Sequence, residues 1–221
     1  MNNMLTTVFA LAVASVTAFS STVQAQEVKA DVNAKVAMCI GCHGIDRYQA
    51  TFPEVYKVPR IAGQGEKYIA AALTAYQKGD RKHPTMRGIA DSLSEKDIAE
   101  ISAYYAQLGR VEGATLPDKL SREPNAQVAA LLNKGACVSC HGANLAKPID
   151  PSYPKIAGQY SDYLYVALKS YQVTNNAVVG RNNAVMGGVA KQFSHAELKS
   201  LASYISTLEG DLKTVPESRF R

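Results

Sequence analysis

Apolar side chains recur at helical spacing in several parts of the chain. Ser94 and Asp97 form a capping-box-like start, and the apolar run that follows them ends at Gly109. Ser194 begins an equivalent run that ends at Gly210. Further helices are predicted over 31–42, 66–78, 125–140 and 161–172. No stretch alternates between apolar and polar residues as a half-buried strand would, so the predicted fold class is all-α.

The pattern occurs twice along the chain. The segment Cys-Ile-Gly-Cys-His-Gly at 39–44 returns as Cys-Val-Ser-Cys-His-Gly at 137–142, an offset of 98 residues (137 − 39). The segment Pro-Arg-Ile-Ala-Gly-Gln at 59–64 returns as Pro-Lys-Ile-Ala-Gly-Gln at 154–159, an offset of 95 (154 − 59). A period of this length indicates a duplicated domain rather than a short solenoid repeat.

The composition between the two repeats predicts a linker. Residues 111–124 combine glycine, proline and mixed charges with few large apolar side chains. We therefore predict two tandem domains, at 26–110 and 125–221, each a small helical bundle. Because domains of this size are small for a stable apolar core, a bound apolar cofactor would complete each core.

Residues 1–25 have the composition of a secretory signal peptide. They carry no ionisable side chain and end in Val-Gln-Ala, after which the polar chain begins. The usual Lys or Arg of the n-region is absent, and an uncleaved anchor is the alternative. However, an apolar run of about sixteen residues is short for a membrane span, which needs ~20. The sequence therefore predicts export and cleavage after Ala25.

Each repeat carries two cysteines separated by two residues and followed directly by a histidine. The residues are Cys39, Cys42 and His43 in the first repeat and Cys137, Cys140 and His141 in the second. Two thiols one helical turn apart can bond to the vinyl groups of one haem, and the histidine then lies beneath the iron. Zinc prefers four tetrahedral ligands, a thioredoxin-like disulfide needs a βαβ context, and structural disulfides do not explain the adjacent histidines. We therefore predict two covalently bound haem c groups.

The repeats also offer one methionine to each haem as the second axial ligand. Met86 and Met186 occupy aligned positions, whereas the other three methionines belong to the N-terminal segment or precede a cysteine motif. A thioether ligand raises the reduction potential of haem iron. His83 is a rival ligand, but its counterpart in the second repeat is Asn183. A buried core methionine is the structural alternative.

The repeated Pro-x-Ile-Ala-Gly-Gln segment supplies further candidate residues around the haems. The backbone carbonyls of Pro59 and Pro154 are expected to accept from the free ring N–H of the two histidines. Gln64 and Gln159, with the basic residue after each proline, are expected to reach the haem propionates. Alternatively the segment is only a turn with a packed isoleucine, and the sequence leaves both interpretations open.

The chain resembles the cytochrome c4 family of bacterial dihaem proteins. The paired cysteine motifs, the Pro-x-Ile-Ala-Gly-Gln segments and the contexts of Met86 and Met186 carry the resemblance, which covers nearly all of residues 27–210. It implies two class I cytochrome c domains related by a pseudo-two-fold axis, with two His/Met haems. It also implies a periplasmic electron carrier, loosely associated with the membrane. The expected donor is a quinol-oxidising complex or a dehydrogenase, and the expected acceptor is a terminal oxidase or reductase.

Two other functions are compatible with the sequence. One is a dihaem subunit of a flavoprotein dehydrogenase, and the other is a dihaem peroxidase, which would need an open iron position.

The formal charge of +5 is largely offset by four haem propionates, so we expect no nucleic-acid partner. With both axial positions filled, we expect no small-molecule substrate and no catalytic residue. Differences at 45–49 and 173–184 predict that the two haem sites are not copies.

Overall fold

The computed structural model describes residues 20–110, 112, 113 and 115–216, with side chains described from residue 32 onward. Residues 1–19 of the predicted signal peptide lie outside this range, and the first described helix begins within the remainder. Among the described residues, no helix is both long and apolar enough to cross a membrane. Cleavage after Ala25 stays a prediction.

The elements of the two repeats follow each other in the same order. The first repeat contains α1 (Ser20–His43), β1 (Gln49–Ala50), β2 (Tyr56–Lys57), α2 (Glu66–Gln77), β3 (Arg81–Lys82), α3 (Pro84–Asp91) and α4 (Glu95–Gln107). The second contains α5 (Ala126–Lys134), α6 (Cys137–His141), α7 (Ser161–Ser170), β4 (Gly180–Arg181), α8 (Ala184–Ala190) and α9 (His195–Ile205). The fold is all-α, as predicted, with four two-residue strands that the sequence pattern did not indicate.

Two capping boxes fix the starts of the last helices. The Ser94 side chain accepts from the Asp97 N–H, and the Asp97 carboxylate accepts from the Ser94 N–H at 2.9 Å. Ser194 and Glu197 form the same pair at the start of α9. Each box satisfies backbone N–H groups that the helix itself leaves unpaired. Both predicted helix starts are confirmed.

The helix predicted over 125–140 is wrong, because the chain breaks before the second cysteine motif. Helix α5 ends at Lys134, and Ala136 takes a left-handed φ of 46° before α6 begins. A Cβ on Gly135 would lie 3.1 Å from the Phe193 ring, so glycine relieves a tight contact next to this break. The first repeat has Ala37 at the equivalent position and continues as one helix to its histidine.

Each repeat has its own apolar core, built where its last helix crosses its first and middle helices. The first core includes Val36, Ile40, Leu73, Ile98 and Ile101. The second includes Leu131, Leu145, Leu164, Leu198 and Leu201. The last helix of each repeat thus packs against both the first and the middle helix of that repeat.

Each core is also covered by a connecting segment. Leu116 and Leu120 of the linker pack against the second core. Residues 211–216 return to the first repeat, where the Lys213 N–H donates to the Ala62 carbonyl at 3.0 Å and Val215 packs against the first core. A segment that the sequence assigned to the end of the second domain therefore completes the first.

The two repeats are joined by backbone pairing as well as by side chains. Strand β3 pairs with β4 in an antiparallel ladder that places Arg81 opposite Arg181. Strand β2 contacts α7, where the Asp162 carboxylate accepts from the Lys57 N–H and pairs with its ammonium at 2.8 Å. The repeats therefore meet along one extended, hydrogen-bonded interface.

Candidate haem sites

All eight residues predicted to bond to haem or its iron line one continuous cavity of about 730 Å³. They are Cys39, Cys42, His43 and Met86 from the first repeat, and Cys137, Cys140, His141 and Met186 from the second. The cavity crosses the boundary between the repeats. Two cofactors held by these residues would therefore meet at the domain interface.

The four thiols are in the state expected of attachment residues. None of them is disulfide-bonded. Burial raises the pKa of Cys39 to about 11 and also raises the pKa of Cys137. Redox-active and metal-binding cysteines instead have depressed pKa values. No cluster of three or more His, Cys, Asp or Glu side chains suited to a metal ion occurs among the described residues.

The two histidines of the motifs are oriented alike. In each, the ring Nδ1 donates to a proline carbonyl at 2.9 Å, from His43 to Pro59 and from His141 to Pro154. Burial lowers the pKa of both histidines, so each ring is neutral at neutral pH. With Nδ1 carrying the proton, Nε2 keeps the lone pair that a metal ion needs.

Helices α3 and α8 place the two methionines. Sequence periodicity did not predict these short helices, but each has a side-chain cap. The ring Nδ1 of His83 accepts from the Met86 N–H, and the Asn183 side-chain oxygen accepts from the Met186 N–H. The other ring nitrogen of His83 bonds to the Tyr56 hydroxyl at 2.9 Å. Both nitrogens of His83 are thus engaged, which argues against its role as an iron ligand.

Gln64 and Gln159 have partners other than those expected from the sequence. Their side-chain amides bond to the backbone of the opposite repeat: Gln64 to Lys155, and Gln159 to Arg60. Each side chain is only 4% exposed. Both side chains also line the cavity, and their contact with the propionates stays a prediction.

Two arginines, Arg81 and Arg181, also face the cavity. Arg81 and Arg181 lie opposite each other in the β3–β4 ladder, and each donates to a tyrosine hydroxyl, Tyr68 at 3.0 Å and Tyr163 at 3.1 Å. Neither arginine forms an ion pair with a carboxylate in the part of the chain that the structure describes. Like charges directly opposite in a ladder repel, so this site favours an anionic partner.

The arginine pair was missed by the sequence analysis, although a signal was present. The two arginines are 100 residues apart (181 − 81), which is also the offset of Met86 and Met186 (186 − 86). The two arginines affect the pKa of Tyr68. Burial raises this pKa, but the two guanidinium groups lower it more, so that it lies below its usual value. The repeat thus preserves a positively charged, tyrosine-lined contact between the haem sites.

One polar atom distinguishes the first site. The Tyr105 side chain lines the cavity, and its buried hydroxyl faces the Cys39 thiol without a nitrogen or oxygen partner among the described residues. At the equivalent position the second repeat has Ile205, which also lines the cavity. A thiol is a weak hydrogen-bond partner, so the Tyr105 hydroxyl is poorly satisfied, which fits a cavity that holds a cofactor.

Comparison with known proteins decides the family. A cytochrome c family model matches residues 126–209, which form the second repeat. Over 185 residues the chain is 30% identical to cytochrome c4 of Stutzerimonas stutzeri, covering 79% of this chain and 86% of that one. The chain belongs to the cytochrome c4 family. This membership confirms the resemblance stated from the motifs.

Other cytochrome c4 relatives extend the comparison to structure and to partners. The crystal structure of reduced recombinant cytochrome c4 from Pseudomonas stutzeri matches with a TM-score of 0.58 at 26% identity, covering 81% of this chain and 97% of that one. A Stutzerimonas stutzeri (strain A1501) protein named thiosulfate dehydrogenase electron acceptor is 27% identical over 184 residues, covering 80% of this chain and 81% of that one.

The cofactor and the general activity follow from cytochrome c4 membership. The chain is a dihaem electron carrier with class I cytochrome c domains, and its haem c groups are bound covalently. The cavity fits them, because each end has two thiols and one neutral, oriented histidine.

Proposed function

We propose that the chain is a periplasmic electron carrier in which each haem has one histidine and one methionine as axial ligands. The observation that carries this proposal is the common cavity lined by both cysteine motifs, both histidines and both aligned methionines. The haems supply one-electron exchange between ferrous and ferric iron. The protein's part is to hold them, fix the ligand orientation and exclude water.

The residues of the chain have distinct parts in this proposal. The four cysteines would anchor the haems, His43 and His141 would bind iron through Nε2, and Met86 and Met186 would each supply the second protein ligand. Since both iron positions are then filled by protein, electrons enter and leave at the haem edges without binding a substrate. A thioether ligand stabilises the ferrous state and gives a relatively high potential.

Arg81 and Arg181 are the proposed partners of the haem propionates at the interface. They face the cavity, lie between the two sites and lack a carboxylate partner in the described part of the chain. Charge-assisted bonds from guanidinium to carboxylate are among the stronger hydrogen bonds in proteins. Propionates at this place would also remove the repulsion between the two arginines.

The proposed donor is a dehydrogenase or a quinol-oxidising complex, and the proposed acceptor is a terminal oxidase or reductase. The relative named as an electron acceptor of thiosulfate dehydrogenase supports the dehydrogenase alternative for the donor. The same relative also fits the alternative function, in which the chain is a subunit of a stable dehydrogenase complex. Co-purification with a dehydrogenase subunit would favour that stable complex over a free carrier.

A redox titration of the purified protein tests the ligation and the carrier role together. We expect two reversible one-electron steps, a methionine-to-iron absorption in the oxidised spectrum and no binding of carbon monoxide by the reduced protein at neutral pH. Carbon monoxide binding would contradict the closed coordination and favour a peroxidase. Recovery from the periplasmic fraction with Gln26 as first residue is expected; a mature chain that starts at Met1 would contradict cleavage.

A further inference from the structure

The peptide bond between Pro59 and Arg60 joins the two halves of the molecule. Its carbonyl accepts from His43 Nδ1 at 2.9 Å. Its N–H donates to the side-chain oxygen of Gln159 at 3.0 Å. One amide group therefore bonds the axial histidine of the first repeat on one side and a glutamine of the second repeat on the other.

The second repeat contains the mirror arrangement. The carbonyl of the Pro154–Lys155 peptide accepts from His141 Nδ1 at 2.9 Å, and its N–H donates to the Gln64 side-chain oxygen at 2.9 Å. Each glutamine also donates back to the carbonyl of the residue whose N–H it accepts from, at 2.8 Å for Gln159 and 2.9 Å for Gln64. The exchange is reciprocal and uses the same residue types in both directions.

We propose that each glutamine is a positioning residue for the haem of the opposite repeat: Gln159 acts through the Pro59–Arg60 amide on His43, and Gln64 acts through the Pro154–Lys155 amide on His141. Each domain therefore influences the reduction potential of the haem in the other domain. A substitution in the second repeat changes the potential of the first haem, and the reverse holds for the first repeat. This inference rests on the proposed ligation by His43 and His141.

The direction of the effect follows from the polarity of an amide. An amide whose N–H is hydrogen-bonded carries more negative charge on its carbonyl oxygen, because hydrogen bonds in a chain strengthen one another. The oxygen then draws the Nδ1 proton of histidine more strongly and makes the ring a better electron donor to iron. A more basic ligand stabilises ferric iron and lowers the potential. Removing the glutamine oxygen therefore raises the potential of the haem opposite.

Burial allows these bonds to act on the haems. Gln64 and Gln159 are each 4% exposed, so water has little access to replace the lost side-chain oxygen. In a low-dielectric setting, a hydrogen bond has a larger electrostatic effect than it has in water. The same burial makes the loss of the partner more costly to the N–H group left behind.

The test is a pair of crossed substitutions in the full dihaem protein. Gln159→Leu should raise the midpoint potential of the first haem and leave the second nearly unchanged, whereas Gln64→Leu should raise the second. Potentials are measured by redox titration, with each haem assigned by NMR of its methyl groups. The Nδ1–H resonance of the affected histidine should move upfield, which reports the weakened hydrogen bond directly.

Two further variants separate this role from mere attachment of the domains. Tyr160→Phe removes the interdomain bond from the Tyr160 hydroxyl to Asp46, 2.7 Å long, without a change of charge. It keeps the aromatic ring and the backbone N–H of residue 160 that also donates to the Gln159 oxygen, so both histidine resonances should stay in place. Gln159→Glu keeps an oxygen acceptor for the Arg60 N–H and should not raise the potential of the first haem.

Several results would overturn the inference. These are equal shifts at both haems, a shift confined to the haem of the substituted repeat, or unchanged histidine resonances in a variant that still binds two haems. Such results would leave the proposed function intact, since the two one-electron steps would persist. Evidence that His43 or His141 does not ligate iron in the unsubstituted protein would instead remove the proposed ligation.

Discussion

At the residue scale, the sequence predicted the groups whose chemistry is carried by a short motif. The cysteines, their adjacent histidines and the aligned methionines all line the cavity. The interdomain bonds of the glutamines were not predicted, because an amide side chain suits many partners and the sequence does not record which backbone lies opposite. Gln64 meets Lys155, which is 91 residues away in the chain. Only the folded arrangement of the repeats brings those groups together.

The proposed methionine ligands give a direct prediction. Met186→Ala should remove a methionine-to-iron absorption from the red end of the oxidised spectrum and lower the potential of one haem, because the thioether that stabilises ferrous iron is gone. Spectroscopy and a redox titration measure the two effects.

Met38→Ala is the matched control for that substitution. Met38 is 49% exposed and does not line the cavity, so its loss should leave both potentials in place. Unchanged potentials in the Met186 variant would show that Met186 is not a ligand.

At the element scale, helices with caps and a long apolar period were predictable, and short ones were not. The capping residues Ser94 and Ser194 correctly predicted where α4 and α9 begin. Helices α3 and α8 have eight and seven residues, too few to show a period, and their caps are a histidine and an asparagine. The break before Cys137 was missed because the left-handed residue that forms it is Ala136, and alanine gives no signal for that conformation.

The cap of α3 leads to a prediction about the first haem site. His83→Ala should destabilise α3 by about 1 kcal/mol, the usual effect of losing an N-cap side chain. The loss of methionine ligation at the first haem should then occur at a lower guanidinium concentration. The measurement is the decay of the methionine-to-iron absorption during the denaturant titration.

His83→Asn provides the control, since Asn183 already caps α8 in the second repeat with a bond of 2.9 Å to the Met186 N–H. This variant should titrate like the unsubstituted protein. If the alanine variant also does so, the cap does not support the methionine, and α3 is held by packing alone.

At the scale of the whole molecule, the duplication was evident from sequence and the interface was not. A linker at 111–124 predicted two tandem domains, and the family resemblance implied a pseudo-two-fold axis between them, but neither gave the contacts of their interface. The structure adds a ladder between β3 and β4 and a C-terminal segment that packs against the first repeat. Isolated two-residue strands have no periodicity of their own, and the partner of the C-terminal segment is more than 100 residues away (Lys213 with Ala62).

The C-terminal segment should contribute to the stability of the first repeat. Val215→Ala removes apolar contact from the first core, and we expect a loss of roughly 1 kcal/mol, as for a small core truncation. Guanidinium denaturation followed at the signals of the first haem measures it. Val178→Ala, at a side chain that is 48% exposed, should have no effect. Equal destabilisation in both variants would contradict a specific role for the segment.

The arginine ladder predicts an effect that reaches both haems. A cation near haem iron favours the ferrous state, because it opposes the additional positive charge of ferric iron. Arg181 lies at the interface opposite Arg81 and lines the shared cavity. Arg181→Met should therefore lower both potentials, whereas Arg181→Lys keeps the charge and should lower them less. This pattern differs from the single, crossed shift expected for Gln159→Leu. A redox titration that found only one haem shifted in the methionine variant would show that the ladder does not place its charge between the two haems.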